Sequence, residues 1–355
     1  MNQPKLNVDE GKLNEFMGKA LADMGAAANM SLILIGDRLG LYKAMAGAGP
    51  MTSQELATKT GTSERYVREW LSAQAAGGYV SFAAGKFTLP DEQAMALAVD
   101  NSPAFIPGAY QIIASTVLDE PKVRAAFKTG EGVGWHEHNC TLFEGTERFF
   151  RPCYSAHLID EWIPALAGVE AKLKAGATVA DVGCGYGVST ILMAQAYPKS
   201  KFIGFDYHAP SIEWASASAA KAGVSDRVTF EVASSKAFPG KGYDMVAFFD
   251  CLHDMGDPVG ASKHVRKSLK PDGTWMIVEP FANDKLEDNL NPVGRIFYSL
   301  STVICTPASL SQEVGLGLGA QAGEARLRDV VSQGGFTRFR RATETPFNLI
   351  LEARP

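Results

Sequence analysis

Residues 179–190 read VADVGCGYGVST, and the fold of the chain turns on them. Val179, Ala180 and Val182 form a small, partly β-branched apolar run that carries Asp181 near its end. Gly183, Gly185 and Gly187 follow at alternate positions, and Val188-Ser189-Thr190 then opens a helical stretch. A strand, a glycine loop and a helix in that order let the backbone turn tightly and approach a ligand closely. The spacing narrows the choice of ligand. A dinucleotide fingerprint needs its third glycine at position 188, where the chain has Val188, and no Lys follows the loop as a phosphate-cradling loop requires. Asp181, two residues before the first glycine, would repel a pyrophosphate but suits a cation.

The next strand, KFIGFDY (201–207), ends in Asp206, 25 residues beyond Asp181. That is close to the separation expected of a ribose-binding acid, and a carboxylate accepts hydrogen bonds from both ribose hydroxyls. The ligand these residues describe is a nucleoside with little or no phosphate and a positive charge near the loop. S-adenosylmethionine fits; NAD and ATP fit less well.

Further short strands lie downstream: RVTFEVAS (227–234), YDMVAFFD (243–250), TWMIVEP (274–280), FTRFRRA (336–342) and FNLILEA (347–353), with helical stretches expected between the first five strands of the series. With ATVADVG (177–183) and KFIGFDY they predict a Rossmann-like, doubly wound seven-stranded sheet of the α/β class over 166–355, with its ligand at the carboxyl ends of the central strands.

Upstream the pattern changes. Residues 11–49 read as helical. Thr52 or Ser53 caps one helix, Gly61 turns the chain, and Ser63 caps a second helix whose Val67, Trp70 and Leu71 share a face. GGYVSF and KFTL then alternate around AAG as a hairpin. Helix, turn, helix and hairpin predict a winged helix, so 1–100 is expected to be an all-helical and winged-helix domain. Its first hundred residues carry 9 Lys and Arg against 11 Asp and Glu, the wrong sign for a phosphate-binding footprint. A packing, lid or dimerisation role is expected instead, with no nucleic acid as partner.

Residues 101–165 form an aromatic-rich helical bridge. His136, His138 and Cys140 lack a second ligand pair at helical spacing, so no metal is expected. Trp135, His138, Phe143 and Tyr154 are expected to lend side chains to a substrate pocket, and Phe297 and Tyr298, between the fifth strand and the last helix, to roof it.

The 355 residues favour more than one domain, and 46% hydrophobic with 21% charged residues is ordinary globular composition. A formal net charge of −5 gives no pull toward nucleic acid or anionic membranes. The five cysteines are scattered, odd in number and without a CxxC pair, which suits a reducing cytoplasm. The polar start is not a signal peptide, and AANMSLILIG (27–36) falls well short of the roughly 20 apolar residues of a membrane span.

DVGCGYG, Asp206, VASSKAF, YDMVAFFDCLHDMGDP and the late GGFTRFRRATETPFNLILEARP together resemble a class I S-adenosylmethionine-dependent methyltransferase. The winged-helix front and the His-Asp pair after the fourth strand resemble the plant-type small-molecule O-methyltransferases, and bacterial, notably mycobacterial, methyltransferases of that two-domain build. The resemblance implies cofactor contacts for Gly183, Gly185 and Gly187, with Asp181 near the ammonium, Asp206 on the ribose and Tyr207 flanking the adenine. Ser234 and Ser235 fall where the family meets the adenine, Ser234 standing in for an acid. Asp250 and Cys251 are placed to touch the cofactor. The resemblance also implies a homodimer through the N-terminal domain.

In LHDM (252–255) Met255 replaces the family's tryptophan, and His253 falls where the family has its general base. An imidazole removes a hydroxyl proton near neutral pH and so activates oxygen for methyl transfer. Adjacent Asp254 is expected to point away from the ring. Glu279, at the carboxyl end of the next strand, is expected to hold it. The family also uses an acid before its last helix, for which Gln321 or Glu324 could stand. Two other readings stay open: methyl transfer to N, S or C without a histidine base, and a winged-helix regulator that senses an adenosyl metabolite.

Overall fold

The computed structural model describes residues 6–355, which fall into two compact units, 6–114 and 115–355. The boundary lies beyond the expected end of the N-terminal domain at residue 100, and most of the bridge belongs to the second unit.

The first unit contains α1 (Glu10–Arg38), α2 (Leu41–Met45), α3 (Ser53–Thr60), α4 (Glu64–Ala76), β1 (Ser81–Ala83), β2 (Lys86–Thr88) and α5 (Asp91–Leu97). Thr52 caps α3 through a capping box with Glu55, and Gly61 ends it in the left-handed conformation. Ser63 occupies the cap position of α4, but its hydroxyl makes no cap bond there. β1 and β2 pair antiparallel around Ala84 and Gly85, both at positive φ, as a two-residue hairpin requires. The core gathers Ile33, Tyr42, Met45, Leu56, Val67, Trp70 and Leu71. Its buried polar groups are satisfied: the Tyr42 hydroxyl donates to Gln74 Oε1 (2.6 Å), the Gln74 amide to Asn29 Oδ1 (2.6 Å) and the Trp70 indole to the Leu32 carbonyl (2.8 Å).

Next come α6 (Pro107–Thr129), within which the boundary falls, α7 (Thr141–His157), a wide helical turn at Leu158–Trp162, α8 (Ile163–Ala165) and α9 (Val169–Ala175). The sheet then alternates with helices: β3 (Thr178–Val182), α10 (Val188–Ala196), β4 (Lys201–Asp206), α11 (Ala209–Lys221), β5 (Val228–Val232), β6 (Tyr243–Phe249), α12 (Pro258–Ser268) and β7 (Leu269–Pro280). After α13 (Pro292–Leu300), a second wide turn (Ser301–Cys305), α14 (Thr306–Leu310) and α15 (Gly323–Gln333), the chain closes with β8 (Arg338–Glu344) and β9 (Asn348–Arg354). One expectation fails: no helix separates β5 from β6. Residues 233–242, ASSKAFPGKG, carry Pro239 and two glycines at positive φ, Gly240 and Gly242, and these break any helical run.

The seven-stranded sheet runs β5-β4-β3-β6-β7-β9-β8, with β9 antiparallel to β7 and β8, and the other neighbours parallel. Strand order reverses at β3, so a crevice opens at the carboxyl ends of β3 and β6. The central strands bury Val179, Ala180, Met245, Val246, Ala247, Phe248, Ile277 and Val278, the near-continuous apolar runs of a sheet covered on both faces. Among the described residues no helix is long and apolar enough to cross a membrane.

Candidate active site

A cavity of about 450 Å³ opens where the strand order reverses. Its floor is the glycine loop. Gly183 and Gly187 both have positive φ, and a Cβ on either would collide, at Gly183 with Cys251 Sγ (2.7 Å) and at Gly187 with the Phe230 ring (2.6 Å). Gly185 also has positive φ, but a Cβ there would meet nothing within 4 Å, and the residue faces the cavity. Gly187 is therefore a packing glycine and does not line the cavity. Replacing Gly187 with Ala is expected to cost about 1–3 kcal/mol of stability through backbone strain and the Phe230 contact, read as a lower melting temperature.

Asp206 closes the β4 end. Its two oxygens accept from the Gly185 and His208 backbone N–H groups (2.9 Å each) and keep lone pairs for further donors. Burial raises its pKa against those hydrogen bonds. Asp181, expected near a ligand ammonium, does not line the cavity. It is buried, and its Oδ2 accepts from the Ser189 and Thr190 hydroxyls (2.6 Å each), which fasten the first turn of α10 to β3. Burial raises its pKa to about 6.

Tyr207, Ser234, Ser235, Asp250 and Cys251 line the cavity, as do Trp135, Phe143 and Tyr154. His138, Phe297 and Tyr298, expected on the substrate side, do not. His138 is buried, with its Nδ1 3.1 Å from Asp119 Oδ2, and the cavity side of its region is taken by Trp135 and His136. The chain beyond α13 reaches the cavity through Ala308, Ser311 and Gln312 instead. α7 contributes Phe143, Thr146, Glu147, Phe150 and Tyr154, one helical stripe of which Thr146, Glu147 and Phe150 were not anticipated. The four-three-four spacing of 143, 147, 150 and 154 was the available signal.

Asp250 sits at the end of β6 with φ +49°, an uncommon conformation for a residue with a side chain. The Tyr154 hydroxyl (2.8 Å) and the Asn348 amide (3.0 Å) donate to its two oxygens. Burial raises its pKa to about 7, partly offset by the Tyr154 hydrogen bond.

Behind the cavity wall lies a buried cluster. A single tight turn, Leu252–Asp254, turns His253 inward, where it is 3% exposed. Glu279 at the end of β7 accepts from the Leu252 N–H (3.0 Å) and pairs with His253 Nδ1 (2.6 Å). Asp254 does not point away from the ring: its Oδ1 lies 3.2 Å from His253 Nε2. The turn is tight enough for these sequence neighbours to converge. Cys305, from the turn after α13, brings its thiol to both, so that one ligand atom from each residue lies within 4.8 Å of the others. Burial alone would lower the His253 pKa, but the carboxylates of Glu279 and Asp254 outweigh it and hold the ring well above its ordinary value. Asp254 lines the cavity and His253 does not. Gln321 and Glu324 lie off the cavity, the first donating to the Phe281 carbonyl (3.1 Å) and the second ion-paired to Arg328 and Arg341. Asp257 caps α12 through the Gly260 N–H (2.7 Å), with Pro258 in the first turn, and so ends the loop.

Comparison with known proteins adds the following. Residues 173–312 match a family described as "Methyltransferase domain", and residues 27–99 match the "Rv2258c-like winged HTH domain". No curated protein matches the sequence. Among solved structures, the mitomycin 7-O-methyltransferase MmcR is 18% identical with TM-score 0.71, covering 98% of this chain and 100% of its own. PigF, solved with S-adenosylhomocysteine, is 16% identical with TM-score 0.70, covering 99% and 100%. Human N-acetylserotonin methyltransferase, solved with S-adenosylmethionine, is 15% identical with TM-score 0.66, covering 99% of each chain. At these identities the likeness is one of fold. Residues 173–312 are thus a methyltransferase domain, and residues 27–99 a winged helix-turn-helix domain that precedes it in the chain.

Proposed function

We propose that this protein transfers a methyl group from S-adenosylmethionine to an oxygen of a small molecule. One observation carries the reading: a single cavity joins Gly183, Gly185 and Asp206 at one end to Asp254, in front of His253 and Glu279, at the other. The residues suit that cofactor. Asp206 has lone pairs left for ribose hydroxyls, Gly185 leaves room for close approach, and among the described residues no Lys or Arg lines the wall to hold a pyrophosphate. The bound cofactor would supply a methyl group on a positively charged sulfur, which leaves as a neutral thioether.

The protein's part is to orient the acceptor and take its proton. The acceptor hydroxyl loses its proton toward Asp254 and His253, with Glu279 fixing the ring through Nδ1. The aromatic stripe of α7 excludes water and positions the acceptor. Calorimetric titration tests the cofactor assignment: saturable binding of S-adenosylmethionine and S-adenosylhomocysteine, and none of NAD, is expected. Binding of NAD alone, or of none of the three, overturns the reading. Product analysis then separates oxygen from N, S or C as the acceptor.

The winged helix belongs to this reading as a pairing module and not a DNA reader. On α4, Arg65 pairs with Glu69 and Arg68 with Glu64, which occupies the basic groups of the helix. α1 buries only Ile33, Leu34 and Gly36, and exposes Leu13, Phe16, Met17, Leu21 and Met24 at helical spacing. A second copy of the chain would cover that stripe. Light scattering is expected to give a dimer, and the double change Phe16→Glu with Leu21→Glu a monomer.

A further inference from the structure

The cavity wall is lopsided in charge. Glu147, Asp206, Asp250 and Asp254 line it, and among the described residues no Lys or Arg does and His136 is the one basic side chain. Three of the four acids are engaged. Glu147 pairs with Arg151 one turn along α7. Asp206 accepts two backbone N–H groups at the nucleoside end. Asp250 is held by Tyr154 and Asn348. Asp254 is different: its Oδ1 is buried and turned inward, 3.2 Å from His253 Nε2 and beside the Cys305 thiol, while the rest of its carboxylate, on a side chain 20% exposed, lines the cavity. The outward part of this carboxylate meets no Lys or Arg among the described residues, and a positively charged donor on a ligand would satisfy it.

The rest of the wall fits the same guest. Trp135, Phe143, Phe150 and Tyr207 present aromatic surface to the same cavity, and aromatic faces attract organic cations. An acceptor bearing a carboxylate or phosphate would meet like charge there, with no Lys or Arg among the described residues to receive it. We propose that the methyl acceptor carries a cationic group, such as a protonated amine, and that Asp254 receives it within the aromatic wall. This rests on the methyl-transfer reading and names the chemical class of its acceptor.

The test uses compounds matched in size and different in charge. One series is tyramine, tyrosol and para-hydroxyphenylacetate; a second is tryptamine, tryptophol and indole acetate. Each is titrated at low ionic strength into the 355-residue chain saturated with S-adenosylhomocysteine, and binding is read from the rise in melting temperature. In at least one series the ammonium compound is expected to bind at least tenfold more tightly than the carboxylate, with the neutral compound between. Added salt should compress the gradient, and Asp254→Asn should abolish it. Equal or reversed order overturns the proposal, as does the absence of binding by both ammonium compounds. A gradient that survives in Asp254→Asn overturns the role of Asp254. If that variant does not fold, the order in the unaltered protein and its salt dependence still decide the question. Failure of S-adenosylhomocysteine itself to bind would instead remove the methyl-transfer reading.

Discussion

Asp206→Ala is expected to weaken S-adenosylmethionine binding about a hundredfold or more, measured by calorimetry. The side chain does two jobs. It accepts the Gly185 and His208 N–H groups, which holds the glycine loop against the end of β4, and it presents its remaining lone pairs to the cavity. Removal loses the ligand contact and leaves two backbone donors without their charged acceptor. Hydrogen bonds to a charged group contribute roughly 1.5–3 kcal/mol each, and about 2.8 kcal/mol is a hundredfold in affinity. Asp206→Asn separates the two jobs. An amide keeps one acceptor oxygen but loses the charge, so its loss should fall between those of Ala and the parent. A variant that bound the cofactor normally would remove Asp206 from the site, and with it the assignment of the nucleoside end.

Much of this site was legible because it lies within single strand-loop-helix units. The spacing of Gly183, Gly185 and Gly187 after an apolar strand fixes a backbone path, and Asp206 follows because parallel neighbouring strands end at the same edge. Glu279 follows by the same logic, since β6 and β7 are parallel neighbours and carry His253 and Glu279 just past their paired ends. What was misread depends on side-chain direction or distant contacts. Asp181 was expected beside a ligand ammonium; the structure sets it behind the cavity wall, with Oδ2 taken by the hydroxyls eight and nine residues later and Oδ1 buried without a partner. Asp254 was expected to diverge from His253, but the tight turn at Leu252–Asp254 and Cys305 behind it bring the two together. His138 carried the chemistry of a wall residue, and its partner Asp119, nineteen positions away on α6, draws it out of the cavity. A period or a spacing does not encode such pairings; they arise when separate segments pack.

For the chemical step, His253→Ala is expected to lower kcat by roughly 10²–10⁴ with an identified acceptor, the contribution typical of a positioned general base, while leaving S-adenosylhomocysteine binding within a fewfold of the parent. The pH profile distinguishes a base from a packing residue. Glu279 and Asp254 hold the ring's pKa well above its ordinary value, so the ring keeps its proton to higher pH than an ordinary histidine and must lose it before it can accept one. The rate should therefore rise with pH through a limb on the alkaline side of the ordinary histidine range. The linkage to stability has the opposite sense. A pKa raised on folding gives stabilisation that is complete below about 6.5 and is lost as pH rises through the folded value. The protein should thus gain rate and lose some stability over the same interval. Glu279→Gln removes one of the two carboxylates that favour the charged ring, so it should move the limb toward lower pH while reducing the plateau, because the ring is less firmly oriented. A cationic acceptor bound at Asp254 would offset the second carboxylate and help drive the proton off the ring, so the limb should lie at lower pH for an ammonium-bearing acceptor than for a neutral one. A profile that does not move in Glu279→Gln would mean that the titrating group is not His253.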